Sequence, residues 1–151
     1  PAMLHYLVGD PTQPQVQGNQ IVAHIGDDGG RWQSCNVPRN WPLVRKAWRA
    51  WQEEPGFALG ETQFVPITPD FCIASMVAGH AGDRPCPGGR FPLRLPALRK
   101  CLRAVAEEAF RMQASVHLAR LPEWPAIEAI LLEELAPQLE VYVYDEPPPE
   151  A

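Results

Sequence analysis

The run Ile21 to Ile25 is apolar at nearly every position, and a strand of that kind needs cover on both of its faces. It empties into Gly26-Asp27-Asp28-Gly29-Gly30, where glycines let backbone amides come close to a ligand. The rest of the chain supplies the cover. Leu4 to Val8 is a shorter strand-like run stopped by Gly9-Asp10-Pro11. Pro42 to Glu54 carries Leu43, Val44, Ala47, Trp48 and Trp51 at helical spacing, with Pro42 suited to a first turn and Pro55-Gly56 closing it. Thr62 to Ile67 and Phe71 to Ala78 read as neighbouring strands joined at Thr68-Pro69-Asp70. A Gly/Pro-rich loop, Gly79 to Pro92, precedes a helix over Leu93 to Met112, whose stripe is Leu98, Leu102, Val105, Ala109 and Met112. Ser115 to Ala119 is a strand, Glu123 to Leu135 a helix, and Leu139 to Tyr144 a closing strand. Interleaved in this order, the elements predict an α/β fold with a mixed, largely buried sheet and helices on both faces. Ligands of such sheets sit outside the carboxyl ends of the strands, so function is expected in the loops after Val8, Ile25, Ala78 and Ala119.

At 151 residues the chain suits one domain, and 46% hydrophobic against 21% charged residues is a globular composition. Pro1 and Ala2 read as an expression remnant, residues 3 to 144 as the domain, and Asp145 to Ala151 as a frayed acidic, proline-rich tail. No apolar run approaches the roughly 20 residues that span a bilayer, so a cytoplasmic monomer is expected. With 18 acidic and 13 basic side chains the net charge is −5, which argues against a general nucleic-acid binder. Arg84, Arg90, Arg94, Arg99, Lys100 and Arg103 form a local basic stretch, open to reading as a phosphate contact or as a solvated helix face. Cys35, Cys72, Cys86 and Cys101 contain no C-x-x-C pair and the four histidines no close ligand spacing, so neither a metal nor a cofactor is expected.

Four segments carry more specific information: Tyr6-Leu7-Val8-Gly9-Asp10, Ile21-Val22-Ala23-His24-Ile25-Gly26-Asp27-Asp28-Gly29-Gly30, Val116-His117-Leu118-Ala119-Arg120 and Val141-Tyr142-Val143-Tyr144. In order and spacing they resemble the macro domain, particularly the branch of terminal ADP-ribose glycohydrolases and their bacterial relatives. The resemblance runs nearly end to end, strongest at V-G-D after the first strand and A-H-x-x-x-D after the second. It implies a three-layer α/β/α fold with a central mixed sheet and an ADP-ribose cleft across the strand ends. Asp10 would accept a hydrogen bond from the adenine amino group, or else cap a turn. Tyr144 would stack on the adenine, or else pack at the edge of the core. Asp27 and Asp28 would face the distal ribose, or else serve as turn residues. Gly9, Ile25, Gly26, Gly29, Gly30, Arg31, Trp32, Gly79 and Arg120 would complete the contacts.

Three departures from the family pattern stand out. Relatives wrap the diphosphate with a G-x-G-hydrophobic turn where this chain has Trp32-Gln33-Ser34-Cys35-Asn36-Val37. A second glycine-rich loop is also missing, because Arg120-Leu121-Pro122-Glu123-Trp124 follows the strand ending at Ala119 directly. The catalytic lysine of that branch is replaced by Ala78-Gly79-His80. Hydrolysis would then need a positioned water, polarised by Asp27 or Asp28, with His80 or Arg84 orienting the scissile bond; the plain alternatives are a loop histidine and a surface arginine. The expected function is removal of ADP-ribosyl groups from acidic side chains of proteins, or from related esters. The alternatives are a non-catalytic ADP-ribose reader and a degenerate structural domain.

Overall fold

The computed structural model describes residues 4–89 and 91–146. Pro1, Ala2, Arg90 and the tail beyond residue 146, all named above, lie outside the described residues. Six strands form one sheet in the order β1-β6-β5-β2-β4-β3. The strands are β1 (Leu4–Val8), β2 (Gln20–Asp27), β3 (Thr62–Thr68), β4 (Phe71–Gly79), β5 (Ser115–Ala119) and β6 (Val141–Asp145). All neighbours run parallel except β3, which pairs antiparallel with β4 at the edge and there tolerates Pro66. The helices are α1 (Asn36–Asn40), α2 (Pro42–Trp51), α3 (Leu95–Met112) and α4 (Trp124–Glu134).

Alternation along the central strands sorts the core into two layers. Ile21, Ala23 and Ile25 of β2 with Cys72, Ala74 and Met76 of β4 face α3 and α4, meeting Leu98, Leu102, Val105, Ile127 and Leu131. Val22 and Ile73, pointing the other way, meet Val37 of α1 and Val44 of α2. The apolar run at Ile21 to Ile25 is therefore covered on both faces, and each fully buried Ile or Leu there contributes about 1.5–3 kcal/mol. On the α2 side Trp48 stacks on Trp32 at 4.2 Å and meets Trp51 and Phe57 edge-on, so the tryptophans pack the helix to the sheet as well as to each other.

Local hydrogen bonds explain where element ends differ from the sequence reading. After Trp51 the chain turns through Glu53 N to Ala50 O and Glu54 N to Trp51 O, so α2 stops short of Glu54. Arg94 is extended and donates its amide to Ala78 O at 2.8 Å, which ties the start of α3 to the end of β4 and holds Leu93 and Arg94 out of the helix. Leu139 donates to Leu135 O and belongs to the turn after α4, so β6 begins at Val141. The short helix α1 has no counterpart in the sequence reading.

Candidate functional site

The carboxyl ends of β1, β2, β5 and β6 open into a cleft of about 630 Å3. This lies inside the roughly 300–1,000 Å3 of small-molecule sites. Its wall combines apolar side chains such as Val22, Ile25, Met76 and Leu118 with polar groups contributed by loops. Gly9, Asp10, Thr12 and Gln13 come from the loop after β1, Gln33, Ser34 and Asn36 from the segment entering α1, and Arg120 from the turn after β5. The sequence anticipates Gly9, Asp10, Ile25, Arg120 and Tyr144 among these, and the structure brings all five to the cleft.

Asp10 holds its own loop together: Oδ1 accepts the Thr12 amide at 2.9 Å, and its carbonyl accepts the Gln13 amide. No protein donor reaches Oδ2 among the described residues, so one carboxylate oxygen stays available to a ligand while the other caps the turn. Gly9 has φ +151°, and a Cβ there would meet the Gln15 side chain at 2.5 Å, which is why glycine stands at this bend. Across the cleft, the Gln33 amide donates to Ile25 O and the Asn36 amide to Ser34 Oγ. The Ser34 and Cys35 amides between them have no protein acceptor among the described residues. Arg120 adds the one positive side chain of the wall; it lies over the Tyr6 and Trp124 rings and 3.6 Å from Asp145. The turn after β5 is so short that Glu123 adopts a left-handed φ of 63° to start α4.

Two expectations are corrected by burial. Tyr144 lines the base of the cleft but is 1% exposed, and its hydroxyl accepts the Gln15 amide and meets His117 Nδ1 at 2.8 Å. No ring face is open for an adenine to stack on. Asp27, expected to face the ribose and to polarise water, is also 1% exposed. Its Oδ1 accepts the Gly29 and Arg31 amides and its Oδ2 pairs with Arg31 Nε at 2.7 Å, so both oxygens are spent on holding the 27–31 turn.

Asp28 behaves differently. Its Oδ2 meets His80 Nδ1 at 2.6 Å and its Oδ1 accepts the Ala81 amide, with side-chain exposures of 22% for Asp28 and 43% for His80. Partial burial pushes the Asp28 carboxyl up, but the Ala81 amide and His80 outweigh it and hold the carboxyl below its ordinary pKa. Gly26, Gly29, Gly30, Arg31, Trp32 and Gly79 sit outside the cleft wall, as do Asp28, His80 and Arg84. The glycines have packing reasons instead: a Cβ at Gly26 would lie 2.6 Å from the Trp48 ring, and one at Gly79 would lie 2.7 Å from Phe91. Trp32 stacks between His24 and Trp48. Arg84 is exposed and has no partner among the described residues.

Reading the sequence overlooked His24, although it sits in the A-H motif. It lines the cleft, bonds Ser75 Oγ through Nε2 at 2.6 Å, and is pushed down to about pKa 3 by burial. The four cysteines are free, and burial raises the Cys72 and Cys101 thiols to about 11. Among the described residues no group of three or more His, Cys, Asp or Glu is placed to hold a metal, and no helix is long and apolar enough to cross a membrane.

No family model and no curated protein matches the chain. Solved structures do. A Bacteroides thetaiotaomicron protein of unknown function superposes with a TM-score of 0.85 at 32% identity, over 95% of this chain and 98% of that one. The macrodomain of Thermus aquaticus DarG shares the fold at a TM-score of 0.72 and 16% identity, over 97% and 99% of the two chains. A macrodomain protein from Streptomyces coelicolor superposes with a TM-score of 0.83 at 33% identity, over 94% of this chain and 98% of that one. Identity at that level across the whole length, on the same three-layer sheet, makes this chain a member of the macrodomain family.

Proposed function

We propose that the chain binds ADP-ribose, free or carried on a protein, in the cleft at the strand ends. The observation that carries this reading is the convergence of three loops on one cleft of about 630 Å3, with a free Asp10 oxygen and the open Ser34 amide on its walls and the open Cys35 amide next to it in the chain. Asp10 suits an exocyclic amino donor, since an ionised carboxylate only accepts. The free amides and Arg120 suit phosphate oxygens, and they do so without the glycines that relatives place here. The apolar wall between them suits a base or a ribose face. Calorimetry with ADP-ribose, against adenine and a nucleoside triphosphate, tests this directly. Micromolar binding of ADP-ribose with much weaker binding of the others is expected, and no heat at millimolar ADP-ribose overturns the reading. Asp10→Ala should weaken binding about 10- to 100-fold, the worth of a hydrogen bond to a charged group.

A second reading, hydrolysis of ADP-ribosyl groups from acidic side chains, draws on the Asp28–His80 pair, which lies outside the cleft wall and would have to be met by a distal ribose projecting from it. Asp28 engages Nδ1 of His80, which leaves Nε2 free to take a proton from a water while the carboxylate orients the ring. Attack at the anomeric carbon breaks its bond to the ester oxygen and releases the side chain as a carboxylate that needs no proton; attack at the ester carbonyl expels the ribose oxygen, which takes back the proton that His80 Nε2 removed from the water. His80→Ala should then cost about 10² to 10⁴ in the release of ADP-ribose from a glutamate-modified protein, with binding retained. Wild-type protein that binds but releases nothing is a reader.

A further inference from the structure

A directional chain of hydrogen bonds runs beneath the cleft, and its ends fix the middle. Ser115 Oγ lies 3.4 Å from the carbonyl of Asn19, which can only accept, so the serine hydroxyl donates there. His117 Nε2 is 2.8 Å from the same Oγ and must therefore be the protonated nitrogen, donating to the serine oxygen. His117 is fully buried, and burial pushes its pKa down to about 4, so the ring is neutral and Nδ1 is bare. Tyr144 OH, 2.8 Å away, then donates to Nδ1. Its oxygen is left to accept the Gln15 amide at 3.3 Å. A proton on Nδ1 instead would leave the tyrosine hydroxyl, 1% exposed, without an acceptor.

The consequence lies at Gln15. Between Asp10 and Gln15 the loop after β1 carries two turn bonds of its own, Thr12 N to Asp10 Oδ1 and Gln13 N to Asp10 O. Among the described residues its hydrogen bonds to the sheet are both made by Gln15, the amide to Tyr144 and Nε2 to Val8 O at 2.9 Å. We propose that His117 is a positioning residue: locked as the Nε2–H tautomer, it turns the Tyr144 hydroxyl into the acceptor that anchors the loop presenting Asp10 to the cleft. The anchoring is a property of the unliganded protein; its effect on affinity rests on the ADP-ribose reading above.

Nitrogen-15 NMR of the imidazoles at pH 7 tests the first half. His117 should show a protonated Nε2 and a bare Nδ1; the opposite tautomer, or a cationic ring, overturns the proposal. Tyr144→Phe tests the second half, because it keeps the ring in its packing and removes only the hydroxyl. The Gln15 amide should exchange about 2- to 12-fold faster, the factor that the net worth of one neutral hydrogen bond allows. The Nδ1 resonance should move as it loses its donor, and ADP-ribose affinity should fall by a similar factor. A Gln15 amide that exchanges at the wild-type rate overturns the anchoring, even if affinity drops. Faster Gln15 exchange in a protein whose wild type ignores ADP-ribose supports the anchoring and counts against the binding reading alone.

Discussion

Asp27→Ala should unfold the protein more easily, where a catalytic role for Asp27 would have left stability alone. The carboxylate is 2% exposed and accepts the Gly29 amide at 3.0 Å and the Arg31 amide at 2.9 Å, besides Arg31 Nε. Alanine strands both amides in a turn that its own backbone closes only through Asp27 N to Arg31 O and Gly30 N to Asp27 O. Each lost bond to a charged acceptor costs about 1.5 kcal/mol, so the pair costs about 3 kcal/mol. The Arg31 side chain is 61% exposed and stays hydrated when its partner goes, which adds little. In a domain of this size about 3 kcal/mol lowers Tm by about 6–12 °C. Thermal melts followed by circular dichroism read this, with Asp28→Ala as the comparison. Asp28→Ala loses the pair with a half-exposed His80, worth about 0–1 kcal/mol, and the bond from the exposed Ala81 amide, which water can replace, at about 1 kcal/mol, so at most about 2 kcal/mol or about 8 °C. Asp27→Ala melting within about 2 °C of wild type would refute the assignment of Asp27 to the turn and return it to the chemistry.

Stability should also fall with acid. His117 titrates at about 4 in the fold against about 6.5 unfolded, so between those values only the unfolded chain binds the proton and ΔG of unfolding drops as pH falls through the window. Two and a half units correspond to about 3 kcal/mol. The rings around it are Tyr142, stacked at 5.0 Å and itself stacked on His5, and Tyr144, tilted at 5.7 Å; His5 in turn pairs with Glu140. His24, pushed to about 3, acts with the same sign. Urea midpoints at pH 7 and pH 4.5 measure the slope, and His117→Gln should flatten it. Gly26→Ala should cost about 1–3 kcal/mol and perturb the near-ultraviolet tryptophan signal, because the new Cβ lies 2.7 Å from Trp48 Cη2 and 2.8 Å from the Arg31 carbonyl, which cannot retreat. A wild-type spectrum and midpoint in that variant would show that the turn has room to give.

The fold was legible because its signals are local and repeat. The near-continuous apolar runs of β2 and β4, which need cover on both faces, and the stripe of Leu98, Leu102, Val105 and Ala109 in α3 each mark burial without reference to anything distant. The short helix α1 was not legible: five residues, Asn36–Asn40, offer no periodicity, and Pro38 and Asn40 argue against a helix locally. Tertiary packing of Val37 and Pro38 decides it. The polar chain through His117 was hidden for the opposite reason. Its members, Gln15, Ser115, His117 and Tyr144, lie up to 129 residues apart and meet only because β5 and β6 are neighbours.

The cleft was half legible, and Asp27 and Asp28 show where sequence reasoning stops. Two adjacent carboxylates at the end of a strand cannot both face the same way, and the strand's alternation decides which turns inward only while the register holds. Here it breaks: β2 pairs residue for residue with β4 from Gln20 to Gly26, then slips so that Asp27 opposes Gly79. Such a bulge re-aims the side chain that follows it. Asp27 is drawn into the turn under three donors, and Asp28 is left at the surface with His80. The slip is one residue long and brings Asp27 against Gly79, where a Cβ would lie 3.2 Å from Asp27 Cβ. If the Asp28–His80 pair is hydrolytic, Gly79→Ala should therefore lower release of ADP-ribose as Asp28→Ala does, because the new Cβ crowds the turn that separates the two carboxylates; unchanged release in the Gly79 variant would show that the turn gives way without moving Asp28.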